Sequence, residues 1–330
     1  MQSSSLLERI KTVKDQDFTA LTLDIFRYQA ENNPVYRKFL ELLGIKQAQI
    51  QRIEDIPFLP IELFKKYELQ SAAWTAQQIF TSSGTTGTST SQHLVRDTQW
   101  YLENARRGFE HFYGPLRDYI VLALLPAYLE RKGSSLILMA KDFIEQSQSA
   151  LGGFYLYNQE ELMKHLRQIQ QTTPATKVLL LGVSFALLDL AEAHPQSLQN
   201  IIIMETGGMK GRREEITRSE LHAQLKTAFQ QQAIHSEYGM TELFSQAYSQ
   251  GNGLFYPTPT MKVLSREITD PLQLQAYERT GALNIIDLAN LDTISFIATE
   301  DLGKVYADGG FEILGRLDAS DVRGCNLMVL

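Results

Sequence analysis

From about Gln78 onward the chain alternates short, continuously apolar runs of β type with segments whose apolar residues recur at helical spacing. That alternation constrains the fold more than any other feature of the sequence. A strand that is apolar on both faces must be covered on both faces, and helices between successive strands do this when the strands run mostly parallel. The runs at 79–81, 119–125, 135–139, 177–181, 200–204 and 233–237 are predicted strands, and 97–112, 160–169 and 184–193 are predicted helices. The expected class is α/β, a mostly parallel, helix-covered sheet.

Upstream, 6–43 reads as two or three amphipathic helices, with Phe18, Leu21, Ile25 and Tyr28 on one face and Pro34 opening a new helix. Pro57 and Pro60 each push the preceding residue out of helical geometry, so 53–69 should be extended and irregular. After Tyr256 the texture changes to β-rich runs separated by Asp/Gly turns, as in a smaller β subdomain. The expected organisation is a helical segment at 1–75, an α/β core at 76–260 and a β-rich subdomain with a C-terminal tail at 261–330.

At 330 residues the chain is about two domains long. Its 31 Lys and Arg against 38 Asp and Glu, a net charge of −7, argue against nucleic acid as a partner. The single cysteine, Cys325, excludes an intramolecular disulfide and a Cys-based zinc site and points to a cytoplasmic protein. The longest uncharged apolar runs, 119–129 and 178–188, span 11 residues each, short of the roughly 20 that cross a bilayer. The N-terminus has no apolar core of a signal peptide. There is no HExxH and no GxGxxG after a strand, so zinc-hydrolase and nicotinamide readings lack support.

The segment TSSGTTGTSTS at 81–91 holds nine hydroxyls and two glycines in eleven positions. Ser82, Ser83, Thr85 and Thr86 with Gly84 and Gly87 form either a flexible surface loop or a phosphate cradle of hydroxyls and bared amides. It is no Walker A loop, since no Lys occurs between Thr81 and Arg96. Downstream, the apolar run NIIIMET leads into Gly207 and Gly208, where backbone can approach a flat ring at the carboxyl edge of a parallel sheet. Tyr238-Gly239-Met240-Thr241-Glu242 follows the next predicted strand, and ATEDLGKV, with Asp301, and Gly315-Arg316-Leu317-Asp318 come later still.

Taken in order, SSGTTG, the Gly207-Gly208 loop, YGMTE, the Asp301 element and GRLD resemble the motifs of the adenylate-forming superfamily, which activates carboxylates as acyl-AMP. The resemblance implies ATP and Mg²⁺. It implies pyrophosphate oxygens on the 81–87 loop, adenine beside Gly207, Gly208, Tyr238 and Gly239, and phosphate at Thr241. It further implies Mg²⁺ on Glu242, ribose on Asp301, and ribose or phosphate on Arg316.

Most of that superfamily continues into a mobile lid bearing a catalytic Lys, whereas only 12 residues follow Asp318 here. A core without its lid is therefore expected, with Lys65, Arg131 or Lys210 standing in for the lid cation. The tail ILGRLDASDVRGCNLMVL, with IPFLPIELFK and LPAYLERKGSSL, resembles the acyl-protein synthetases of LuxE type. There a Cys near the chain end takes the acyl group of a fatty acid and passes it to a partner acyl reductase, which makes Cys325 the candidate acyl carrier. Arg323, two residues back, could favour its thiolate.

Rival readings remain. GVSFA at 182–186 is an incomplete G-x-S-x-G elbow, so a serine acyltransferase or thioesterase using Ser184 competes, against Ser184 as a simple helix N-cap. A CoA or carrier-protein ligase for an aromatic carboxylate and a degenerate nucleotide-binding subunit are the others. A membrane span is not expected, and an oligomer is possible.

Overall fold

The computed structural model describes residues 3–82, 90–126, 133–156, 158–172, 175–209, 212–214 and 216–317. In chain order its α-helices are α1 (Ser3–Lys11), α2 (Asp15–Asn32), α3 (Pro34–Leu42), α4 (Thr98–Tyr113), α5 (Ser135–Gln146), α6 (Gln159–Thr172), α7 (Ser184–Ala193) and α8 (Arg218–Phe229). The strands are β1 (Leu59–Pro60), β2 (Gln78–Thr81), β3 (Gln92–Val95), β4 (Tyr119–Leu124), β5 (Gly153–Tyr155), β6 (Lys177–Val183) and β7 (Ile201–Thr206). They continue with β8 (His235–Tyr238), β9 (Ala247–Ser249), β10 (Leu254–Pro257), β11 (Met261–Arg266), β12 (Gly281–Asp287), β13 (Phe296–Val305) and β14 (Phe311–Arg316). Two compact units result: residues 1–104, 240–245 and 256–330 form one, and 105–239 with 246–255 the other.

The second unit is the α/β part that the alternation predicts. Strands β5, β4, β6, β7 and β8 are parallel neighbours in that order, and β9 follows antiparallel to β8. All six residues of β4 are buried, the signature of a strand covered on both faces. Gly182 shows why small residues are needed where helix meets strand: a Cβ there would lie 2.7 Å from Leu187 Cγ of α7. Phe109 anchors the core, its ring centroid 5.2 Å from Phe143 and 5.6 Å from Tyr119.

Two expectations need correction here. The run at 135–139 is not a strand but the start of α5, because Ser134 accepts a hydrogen bond from the Ile137 amide and caps the helix. Met139, Ala140 and Phe143 then share its buried face. The 79–81 run is a strand, but it pairs antiparallel with β3 instead of joining the parallel sheet.

The first unit combines the N-terminal helices with the C-terminal strands. Its sheet is β11-β12-β13-β14, all antiparallel, with β1 parallel to β13. Phe26, Tyr36 and Phe58 pack around Phe296 with ring centroids 6.1–6.2 Å apart. Each such ring contributes about 1.5–3 kcal/mol through burial. Buried amides fix the helices on this core. Gln29 Nε2 donates to the Asn290 and Leu291 carbonyls at 3.0 Å. Asn33 Nδ2 donates to the Thr293 carbonyl at 2.9 Å, while Asn33 Oδ1 caps α3 through the Tyr36 amide.

Candidate active site

In the α/β unit the carboxyl end of β7 carries Glu205 and Thr206, and the chain then turns at Gly207 with φ +70°. Glu205 is buried and accepts from Arg218 Nε at 3.0 Å and Ser184 Oγ at 3.2 Å, with His222 Nε2 3.5 Å away. Burial alone would raise its carboxyl, but His222, the Arg218 guanidinium and Ser236 together hold it below the usual range. One strand over, Glu237 accepts from Thr206 Oγ1, and a Cβ at Gly239 would overlap Glu237 Oε1, so only glycine fits this turn without a shift. Tyr238 is buried against Phe255, ring centroids 6.0 Å apart. Gly207, Gly208, Tyr238 and Gly239 thus all lie at the carboxyl ends of adjacent parallel strands β7 and β8, the edge where open α/β sheets bind ligands.

Ser184 is placed differently from both sequence readings. It is the first residue of α7, whose N-cap is Val183, so it does not cap the helix. Its hydroxyl reaches Glu205 and the Gly207 carbonyl instead, both at 3.2 Å. Among the described residues no histidine hydrogen-bonds it: His222 meets Ser236 and Glu205, and His235 meets Tyr113. The one basic side chain that the Ser184 hydroxyl meets among the described residues is the Glu205 carboxylate, which is itself held by Arg218 and His222, and not the imidazole of a Ser-His pair.

The other unit holds Thr241 and Glu242 on an irregular segment, 240–245. Buried backbone outside regular structure must find its hydrogen bonds elsewhere, and here side chains supply them. His93 Nδ1 donates to the Thr241 carbonyl at 2.8 Å, Asn290 Nδ2 to the Glu242 carbonyl at 2.8 Å, and Asn104 Nδ2 to the Phe244 carbonyl at 3.1 Å. Asp287 takes the amides of Phe244 and Ser245 at 2.7 and 3.0 Å and the Ser245 hydroxyl at 2.6 Å. His93 is fully buried, and burial pushes its imidazole down to about 4, so it is neutral at pH 7. Because the carbonyl can only accept, Nδ1 carries the proton and Nε2 accepts from Thr293 Oγ1 at 3.0 Å.

Held this way, the Glu242 side chain is 7% exposed. Burial raises its carboxyl, and a hydrogen bond from Ser91 with the charges of Arg316 and Lys65 recovers only part of that cost. Ser91 also ties the ends of the hydroxyl-rich loop together: its amide donates to Ser82 Oγ at 2.9 Å and its carbonyl accepts from the Ser82 amide at 3.2 Å. Asp301 and Arg316 face each other across β13 and β14, Arg316 Nε donating to Asp301 Oδ1 at 3.2 Å. Arg316 is largely exposed, its Nη2 4.0 Å from Glu300. Ser83, Gly84, Thr85, Thr86, Gly87, Arg131, Lys210, Asp318 and Cys325 lie outside the described residues.

No family model and no curated protein matches the sequence. Solved structures do. ATP-bound MatB from Rhodopseudomonas palustris aligns over 74% of this chain and 49% of its own, with 14% identity and a TM-score of 0.55. A 2-hydroxyisobutyryl-CoA ligase in its postadenylation state with R3-HIB-AMP aligns over 94% of this chain and 70% of its own, at 13% identity and a TM-score of 0.67. The same ligase with 2-HIB-AMP and CoA in the thioesterification state gives 94%, 71%, 14% and 0.66.

The chain has the fold of an adenylate-forming enzyme core. It spans about half the length of the MatB structures it matches. The described residues include no group of three or more His, Cys, Asp and Glu that could hold a metal ion. They also include no helix long and apolar enough to cross a membrane. The sequence motifs point to Glu242, Asp301 and Arg316 but not to the groups that hold the Glu242 segment, His93, Asn104, Asp287 and Asn290. One signal was present: Asp287 ends an otherwise uncharged strand, GALNIID, where a carboxylate needs a reason.

Proposed function

We propose that the protein is an acyl-protein synthetase of LuxE type, which activates a fatty carboxylate with ATP and carries the acyl group as a thioester on Cys325. The observation that carries the first step is the setting of Glu242: a buried carboxylate beside Lys65 and Arg316 and bonded to Ser91, at the base of the hydroxyl-rich loop. Such a group suits a cation that takes its remaining ligands from polyphosphate. Bound there, Mg²⁺ would offset the charge building on the departing pyrophosphate. Glu242 is the residue that would hold it.

In this reading the carboxylate oxygen attacks the α-phosphorus, the bond to the bridging oxygen breaks, and pyrophosphate leaves toward the 81–87 loop. Asp301 accepts the ribose hydroxyls, Arg316 meets ribose or phosphate, Thr241 meets phosphate, and Gly207, Gly208, Tyr238 and Gly239 line the adenine. The charge of Lys65, like that of Arg316, reaches Glu242, which supports Lys65 as a stand-in for a lid lysine. The thiolate of Cys325 then attacks the acyl carbon, AMP leaves with the oxygen, and an acyl reductase or other acceptor protein takes the acyl group. A thiol of pKa about 8.5 is nucleophilic enough for this when a cation is near. A reducing compartment, the cytoplasm, suits the free thiol.

One second reading has an observation in its favour. The matched structures include a 2-hydroxyisobutyryl-CoA ligase seen with CoA, so the acyl acceptor in this chain could be a diffusing thiol, with an aromatic or short carboxylate as substrate. Incubation with ATP, MgCl₂ and radiolabelled palmitate, followed by peptide mapping, separates the two. Label on Cys325, dependent on ATP and lost in Cys325→Ala, is expected. Label on Ser184, or labelling that needs no ATP, overturns the proposal.

A further inference from the structure

Arg266, the last residue of β11, is only 8% exposed, and among the described residues it forms no ion pair. Burying a guanidinium without a carboxylate is costly, and a methionine or leucine would fill the same space at less expense. The arginine is instead spent on the backbone of two other strands. Its Nη1 donates to the Leu283 carbonyl at 2.9 Å and to Asn284 Oδ1 at 3.0 Å, both on β12, and its Nη2 donates to the Thr299 carbonyl of β13 at 2.8 Å. Burial pushes the group down to about 10, which leaves it charged at neutral pH.

The place where these bonds fall is an interruption of the β12–β13 ladder. Ala282 pairs with Leu302 and Asn284 with Ala298, so the single residue Leu283 faces three residues of β13: Thr299, Glu300 and Asp301. A bulge of this size strips backbone groups of their ladder partners and re-aims the side chains within it. Side chains make good the loss. The Leu283 carbonyl accepts from Thr299 Oγ1 at 2.8 Å as well as from Arg266, and Thr299 Oγ1 in turn accepts from the Asp301 amide at 3.2 Å. On its other side the bulge meets β14, where Asp301 pairs with Arg316.

We propose that Arg266 is a positioning residue: through the Leu283 and Thr299 carbonyls it locks the β13 bulge that presents Asp301 to the ribose hydroxyls of the nucleotide. The inference rests on the reading of Asp301 as the ribose-binding carboxylate. A planar guanidinium with donors fixed in a fork can bridge acceptors on two strands at once, which a lysine ammonium on a flexible stem does less well.

The test is calorimetric titration of the full chain with Mg-ATP and with Mg-2′,3′-dideoxy-ATP. The wild type binds ATP about tenfold or more tightly than the analogue, because a site built around hydroxyls rejects a ligand that lacks them. In Arg266→Met and in Thr299→Val, ATP affinity falls about tenfold while analogue affinity stays, so the ratio collapses toward one. Arg266→Lys recovers part of the ratio. A variant that keeps the wild-type ratio overturns the assignment, whatever happens to its melting temperature. A wild type that does not distinguish the two nucleotides overturns the ribose reading of Asp301, and the inference with it. Thr299→Val, which removes one hydroxyl and keeps the shape, serves where Arg266→Met fails to fold.

Discussion

His93 Nδ1 donates a 2.8 Å hydrogen bond to the carbonyl of Thr241, the residue before Glu242, across 148 positions of sequence. The same ring lies 4.9 Å from Phe244 and 5.3 Å from Phe64, centroid to centroid. An imidazole wedged among aromatics is thus the rigid end of the strut that fixes the segment carrying Glu242. Protonating it would put a second N–H on Nε2, which now accepts from Thr293, and would place a charge in an apolar shell.

That relationship predicts a pH dependence of stability. Burial sets the folded value of His93 at about 4, below the unfolded value of about 6.5. Between the two the unfolded chain binds the extra proton, so stability is complete above about pH 6.5 and falls as pH drops toward 4. The full loss is about 3 kcal/mol. Urea denaturation at pH 7.5 and pH 5 should show a smaller drop for His93→Gln than for the wild type; equal drops would contradict the buried neutral ring.

Glu242→Gln should separate function from stability. Gln keeps the shape and the hydrogen bond to Ser91, and it removes a charge whose carboxyl is raised by burial. Nucleotide-dependent activity should fall about 10²-fold or more while the melting temperature holds or rises. A variant with ordinary activity would remove Glu242 from the chemistry.

Asp287→Asn should do the opposite. The carboxylate gathers two amides and a hydroxyl from Phe244 and Ser245 and the Ala289 amide at 3.1 Å. An amide nitrogen in place of one oxygen would face donors with a donor, at a cost of about 2–4 kcal/mol. Equilibrium denaturation gives the number, and a change under about 0.5 kcal/mol, the scale of an ordinary surface substitution, would show that the segment is held without it.

Gly182→Ala should destabilise by about 1–3 kcal/mol through overpacking against Leu187. Adding Leu187→Ala makes room for the new methyl, so the two costs should fail to add. Strict additivity in a double-mutant cycle would mean that the close approach of α7 to β6 does not decide the choice of glycine.

The parallel strands were legible because their apolar runs are continuous and are separated by helical periods, as in 177–181 and 200–204, which became β6 and β7. The run at 135–139 was not, since a short apolar stretch has no period of its own and the cap at Ser134 decides between helix and strand. Strand β5, only Gly153–Tyr155, is too short to carry a pattern. Motif order is what points to Glu242, Asp301 and Arg316 as candidates. The supports of the Glu242 segment carry no such signal, because His93, Asn290 and Asp287 act through backbone groups distant in sequence, and nothing local marks which carbonyl or amide a buried polar side chain will meet.

The central claim is that a carboxylate is activated as its acyl-AMP at the Glu242 site. Carboxylate-dependent exchange of labelled pyrophosphate into ATP tests it most directly. Exchange that requires a fatty acid and Mg²⁺ and disappears in Glu242→Gln is the predicted result; no exchange with any fatty, short-chain or aromatic carboxylate would contradict it.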